Sequence, residues 1–288
     1  MPSRHVRLRT SQKIALARWM QRVVMAARRP LGLGPDTRVV RNGITWQLDL
    51  REGIDFSIWL LGAFEPETVR CYQAILRRGA TVLDVGANIG AHTLPLARAV
   101  GPSGRVLAFE PTDYAFSKLR ANCALNPALA ARIVPLQMML VGPGNGAQPV
   151  PQLYSSWPLE EEAGMHALHH GRLKTADGAV ARTLDETLAG AGLQALDCIK
   201  LDIDGYECGM LRGAAATLSR WHPPIIMELA PDALRDQGAS LSELVGLLSG
   251  HSYRLFDMAA GRPLSMNADE LGRGIPRGAS LNVLARAA

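Results

Sequence analysis

The apolar positions of this chain fall into short runs separated by stretches of helical periodicity, and the alternation begins at residue 80. Runs of that length, bounded by turn residues, predict strands near 80–85, 104–110, 132–138, 196–203, 223–229, 251–257 and 280–286. Between them the spacing predicts helices near 89–100, 112–125, 205–218 and 240–249, the last opened by the capping box Ser240-Leu-Ser-Glu243. Strands alternating with helices imply an α/β fold, a mostly parallel sheet with helices on both faces.

Upstream the pattern changes. Over Gln12 to Arg29 a helix is expected, with Leu16, Trp19, Met20, Val23 and Ala27 on one face and Arg18, Arg22 and Arg29 opposite. Two runs over 38–48 meet at Asn42-Gly43, a pair suited to the positive φ angles of a type I′ turn, and predict a hairpin. Glu65 to Arg78 reads as a helix closed by Gly79. The chain thus divides into a basic amphipathic arm over 1–34, a β-hairpin extension over 35–64 and a main domain over 65–288. Within that domain the alternation lapses over 142–181, which reads as a substrate-facing insertion.

Composition narrows the class. Of the 288 residues 48% are hydrophobic and 20% charged, which suits a folded core and excludes general disorder. Cys71, Cys123, Cys198 and Cys208 are scattered without a C-x-x-C pair, so a reduced, cytoplasmic setting is expected. No apolar run reaches the length of a spanning helix. The net charge is +5, yet residues 1–30 hold eight cations and no acid, leaving the rest at −3. Basicity belongs to the arm, which weakens a nucleic-acid reading of the whole protein. The arm's apolar stripe is expected to dock on the protein's own core or on a second copy in a homo-oligomer. Peripheral contact of residues 10–29 with an anionic membrane and a targeting segment are the alternatives.

The candidate chemistry centres on the strand Thr81-Val-Leu-Asp-Val85 and the turn Gly86 to Gly90. A glycine turn after a first strand serves many nucleotide folds, but Asp84 at the strand end would repel a phosphate. The sulfonium and ammonium of S-adenosyl-L-methionine are cationic, so acidic residues here favour that cofactor. Gly-x-x-x-Gly also departs from the dinucleotide spacing Gly-x-Gly-x-x-Gly. Glu110, at the tip of the second strand, stands where a carboxylate can accept ribose hydroxyls. A second acidic group follows in Ile199-Lys-Leu-Asp-Ile-Asp-Gly-Tyr-Glu207. Alternation sends Lys200 and Asp202 to one face, as an ion pair or toward a ligand. His92 reads as facing either the cofactor or its helix neighbours. His166, His169 and His170 have no strong partner in sequence and are expected in a loop, with no metal.

Phe64-Glu-Pro-Glu67, Asp84-Val-Gly-Ala-Asn-Ile-Gly90, Phe109-Glu-Pro111, Thr183-Leu-Asp185, Ile199 to Glu207, Leu211-Arg-Gly-Ala214 and Met227-Glu228 follow the order found in the FkbM-type S-adenosylmethionine-dependent methyltransferases, which the chain resembles over about residues 60 to 285. The resemblance implies a class I methyltransferase (Rossmann-like) fold, seven strands with the last antiparallel, and methyl transfer to oxygen. It implies that Asp84, Gly86, Asn88 and Gly90 line the methionine portion of the cofactor and that Glu110 meets the ribose. Asp204 stands where the family more often has Glu. The acceptor is then a hydroxyl on a sugar, polyketide or other secondary metabolite. Asp202, Asp204 or Glu228 would remove its proton, and Lys200 would orient it. A nucleic-acid methyltransferase using the basic arm and a non-catalytic cofactor-binding adaptor are the rival classes.

Overall fold

The computed structural model describes residues 10–146, 149–160 and 171–288. His166, His169 and His170 lie outside the described residues, as do Arg4, Arg7 and Arg9. In chain order, α1 (Thr10–Arg28) runs through a 3-10 turn into a hairpin of β1 (Asp36–Arg41) and β2 (Ile44–Asp49), followed by α2 (Gly53–Leu61) and α3 (Pro66–Ile75). Next come β3 (Thr81–Val85), α4 (Thr93–Val100), β4 (Arg105–Phe109), α5 (Asp113–Ala124), a short α6 (Pro127–Ala130) and β5 (Ile133–Leu136). Then follow β6 (Met138–Leu140), ahead of the insertion over 142–181, β7 (Leu153–Ser156) and β8 (Arg172–Lys174) within it, and β9 (Val180–Arg182) at its end. The chain ends with α7 (Leu184–Ala189), β10 (Cys198–Leu201), α8 (Glu207–Arg212), α9 (Ala215–Trp221), β11 (Ile225–Leu229), α10 (Pro231–Asp236), α11 (Leu241–Gly250), β12 (Tyr253–Asp257), α12 (Ala268–Arg273) and β13 (Leu281–Ala287).

All seven expected strands join one sheet, in the order β12-β13-β11-β10-β3-β4-β5. Pairing is parallel from β11 to β5, while β13 runs antiparallel to both β11 and β12. This is the class I methyltransferase arrangement. Helices cover both faces, so the central strands are apolar on both sides: in β3, Leu83 and Val85 join one core and Val82 the other. The chain leaves β3 toward β4 on one side and returns as β10 on the other. A crevice therefore opens at the carboxyl ends of β3 and β10.

The hairpin forms where Asn42-Gly43 predicted it, with φ of 50° and 70° at the two turn residues. It is not a free extension. Ile44, Trp46 and Leu48 alternate into the second core, and α5 with the turn after it holds the outer edge: Asn126 Oδ1 accepts from Thr45 N (2.9 Å) and Asn122 Oδ1 from Gln47 N (2.8 Å). The amide of Asn122 also donates to Ile89 O at 3.0 Å, which couples the hairpin to the glycine turn.

Several sequence expectations need correction. The helix after the turn starts at Thr93, not near Ile89, because Asn88 (φ 49°) and Gly90 (φ 92°) are left-handed and cannot sit in a right-handed helix. Helix α3 stops at Ile75 rather than at Arg78, since Leu76 turns extended toward β3. Ser240 caps α11 through Glu243 N alone, as the Glu243 carboxylate goes to Arg212, whereas a complete capping box closes at Thr183 and Glu186. The expected stripe on α1 is split: Met20 turns inward with Ala17, Val24 and Met25, while Leu16, Trp19 and Val23 face out.

Candidate active site

The crevice is a cavity of ≈ 890 Å³ lined by residues from every segment of the chain. Its floor is the turn after β3. Gly86 has φ of 81°, and a Cβ there would lie 1.8 Å from the backbone O of Asp202, so only glycine lets the ends of β3 and β10 meet this closely. Phe109 O accepts from both Gly86 N (3.0 Å) and Ala87 N (2.9 Å), fixing the turn to β4. Asn88 donates its side-chain amide to Ser155 O at 3.1 Å.

Glu110 is buried just past β4 and lines the cavity. Its Oε2 accepts from Asn88 N (2.9 Å), and its Oε1 from Thr112 N (2.9 Å) and Thr112 Oγ1 (2.6 Å). The Thr112 hydroxyl, which could have capped α5, is spent on Glu110 and also meets Ser155 Oγ at 2.8 Å. Burial raises the Glu110 carboxyl above the ordinary range, against the opposing pull of these donors.

Lys200 and Asp84 face each other across neighbouring parallel strands. Asp84 is wholly buried. Thr93 Oγ1 donates to its Oδ2 at 2.5 Å, and the Lys200 ammonium lies 3.8 Å from its Oδ1. The same ammonium donates to Gly86 O (3.1 Å) and pairs with Asp202 Oδ2 (3.3 Å). Burial alone would lower the Lys200 ammonium, but Asp202 and Asp84 outweigh it and hold it above its usual value. The sequence reading of Lys200 as an ion pair with Asp202 is half of this arrangement, which has Asp84 as its second arm.

On the far side stand Asp204, in a left-handed conformation (φ 51°), and Glu228, whose Oε1 accepts from Ser280. Burial and the nearby Asp202 push both carboxyls well above the usual range. Glu207 does not line the cavity; its Oε1 accepts from Ile203 N and Gly205 N, each at 3.3 Å, and burial raises it to about 7.

The fold therefore gathers Gly86, Asn88, Glu110, Lys200, Asp202, Asp204 and Glu228 around one cavity. Asp84 and Gly90 are placed behind its lining rather than in it: Asp84 anchors Lys200, and Gly90 packs against Leu94 and Leu119. Among the described residues no group of three His, Cys, Asp or Glu is placed to hold a metal ion.

Two lining residues carry more than the sequence reading assigned them. The His92 ring is 3% exposed, lines the cavity, and has no hydrogen-bond partner at either nitrogen. Its Nε2 lies 3.7 Å from Glu65 Oε2, and that carboxylate is held by Thr68 Oγ1 (3.0 Å) and by the amide of Asn282 (3.0 Å). Burial would raise Glu65, but His92 and Asn282 lower it below the usual range. Phe64-Glu-Pro-Glu67 was the available signal for Glu65, without a role attached. The insertion also contributes: Leu153 to Ser155 and Trp157 to Leu159 line the cavity.

Residues 84–255, more than half of the chain, match the Methyltransferase FkbM domain. The chain belongs to the FkbM methyltransferase family, whose methyl donor is S-adenosyl-L-methionine. It is 27% identical over 211 residues to methyltransferase sdnD of Sordaria araneosa, covering 61% of this chain and 80% of that protein. It is 28% identical over 222 residues to 31-O-demethyl-FK506 methyltransferase FkbM of Streptomyces tacrolimicus, covering 65% and 78%. Among solved structures, the FkbM methyltransferase of Methylobacillus flagellatus aligns at 18% identity with a TM-score of 0.45, over 78% of this chain and 48% of that one.

Proposed function

We propose that this chain transfers a methyl group from S-adenosyl-L-methionine to a hydroxyl oxygen of a small-molecule or glycan acceptor. The observation that carries the donor is the acidic lining of the cavity. Glu65, Glu110, Asp202, Asp204, Glu228, Asp232 and Asp236 line it, while the described lining has no arginine and one lysine, already met by Asp84 and Asp202. A sulfonium or an ammonium favours the ionised form of such acids, raised though some of them are by burial, whereas the lining offers a pyrophosphate no free cation. In this reading Gly86 and Asn88 hold the methionine portion. Glu110 takes the ribose, with Asp84 and Gly90 supporting the turn from behind. A carboxylate has about four acceptor positions, and three on Glu110 are filled, so binding both ribose hydroxyls requires release of one Thr112 bond. Thr112 Oγ1 has Ser155 Oγ as its other partner.

Transfer to oxygen is supported by the name of the Streptomyces relative, a 31-O-demethyl-FK506 methyltransferase. The O–CH₃ bond forms as the S–CH₃ bond breaks, its electron pair stays on sulfur, and the acceptor proton passes to a protein base. We assign that proton to Asp202, whose carbonyl abuts the Gly86 turn, with Asp204 and Glu228 beside it. Lys200, with its donors turned to Gly86 O and Asp202, braces the turn rather than orienting the acceptor. His92, unpartnered and backed by Glu65, supports a second assignment of the base.

The first test is thermal shift: S-adenosylmethionine raises the melting temperature and NAD does not. Glu110→Gln then weakens donor binding by calorimetry about tenfold or more, the scale of a charge-assisted hydrogen bond. Stabilisation by NAD alone would overturn the reading. With an acceptor found in a hydroxyl library, Asp202→Asn is expected to abolish turnover and leave donor affinity intact. Unchanged turnover in that variant, with loss in His92→Gln, moves the proton to His92.

A further inference from the structure

Helix α1 has two apolar faces, and the protein covers one of them. Ala17, Met20, Val24 and Met25 pack on the second core. Leu16, Trp19 and Val23 lie together on the adjoining arc of the helix and are 49%, 62% and 51% exposed. Leu60 and Leu61, at the end of the adjoining α2, are 37% and 63% exposed, and with Leu16 they rim the cavity mouth. An exposed apolar surface spanning two elements marks a contact site.

Charge identifies what it contacts. Arg22, on the helix face next to Trp19, and Arg29, in the 3-10 turn that follows the helix, are exposed, and the first thirty residues hold eight cations and no acid, while the remainder of the chain is net −3. Attraction to an anionic partner is thus concentrated at this one end of the sequence. A second copy docked face to face would bring two such cationic arms together, which opposes a symmetric dimer here. A tryptophan flanked by aliphatic side chains and arginines suits the boundary between headgroups and acyl chains.

We propose that α1 docks on an anionic phospholipid bilayer, lying in its plane with Leu16, Trp19 and Val23 entering the headgroup boundary and Arg22 and Arg29 meeting lipid phosphates. The docked face includes the rim of the cavity. This surface is independent of the methyl-transfer reading and is tested without an acceptor.

The full chain is sedimented with vesicles of phosphatidylcholine and phosphatidylglycerol, about two to one, and with phosphatidylcholine alone. Binding to the anionic vesicles is expected to be about tenfold tighter and to weaken as salt is added. The double variant Trp19→Ser, Val23→Ser should lose about tenfold in vesicle affinity with an unchanged melting temperature, since both side chains are already solvated. Arg22→Gln, Arg29→Gln should weaken binding to the anionic vesicles only. Three results would overturn the proposal: no binding by the natural chain, full binding by the serine variant, or a sedimenting dimer that the serine variant dissociates and that has no vesicle affinity.

Discussion

Gly86→Ala is expected to abolish donor binding and to lower the melting temperature by about 5–10 °C, taking a cost of at least ~3 kcal/mol in a domain of this size. The new Cβ would stand 1.8 Å from Asp202 O and 3.1 Å from Ile203 Cγ2. Neither side can retreat. The turn is pinned to Phe109 O by two backbone bonds, and Asp202 N donates to Val85 O at 3.1 Å, so relief requires parting β3 from β10 at the base of the cavity. The left-handed φ of 81° adds strain for any residue with a Cβ. Gly90→Ala is the comparison. It has a similar φ of 92°, but its Cβ would meet Leu119 Cδ1 at 3.0 Å, the movable end of a side chain. It should cost less stability and retain measurable binding. Calorimetry of unfolding and of S-adenosylmethionine binding checks both variants. A Gly86→Ala protein with undiminished affinity would show that the turn does not hold the donor.

The contrast between these glycines shows what the sequence could and could not disclose. Both are spaced as a ligand turn, and both adopt positive φ. Which of them presses against another strand depends on the return of β10 more than a hundred residues later. The seven strands were legible because a sheet covered on both faces needs uninterrupted apolar runs, and the hairpin because Asn-Gly favours one turn. Helix α2 was missed: Ile54, Phe56 and Ile58 are buried and Trp59 packs beside them, so no polar face marks a helical period. Helix α1 failed in the opposite way, since two adjacent apolar arcs read as one stripe. At the site, residue types and their order along the chain located Glu110, Asp202 and Asp204 at or just past strand ends, while Glu228, inside β11, was marked by the family motif Met227-Glu228. Burial was not legible. Asp84 was expected beside a ligand, whereas the register of β3 with β10 sets it opposite Lys200, and no local pattern encodes that register.

Lys200→Met follows from that cross-strand pair and is expected to destabilise the protein by about 3–5 kcal/mol, the usual result of removing one partner from a buried ion pair. The ammonium side chain is 5% exposed and Asp84 not at all. Without it, Asp84 keeps only Thr93 as a donor, and its Oδ1 has no hydrogen-bond partner to fall back on. A carboxylate left in that position has no cation to offset its burial, which is costly. Adding Asp84→Asn removes the stranded charge, so the double variant should be more stable than Lys200→Met alone at pH 7, with a coupling energy of about 1–3 kcal/mol. Urea unfolding of the natural protein, the two single variants and the double variant measures it. Strictly additive effects would mean that Lys200 contributes through packing of its alkyl stem and not through Asp84. Because the same ammonium donates to Gly86 O, Lys200→Met should also loosen the turn that Gly86→Ala distorts. Both variants would then lose donor affinity for one reason, the position of the Gly86 backbone.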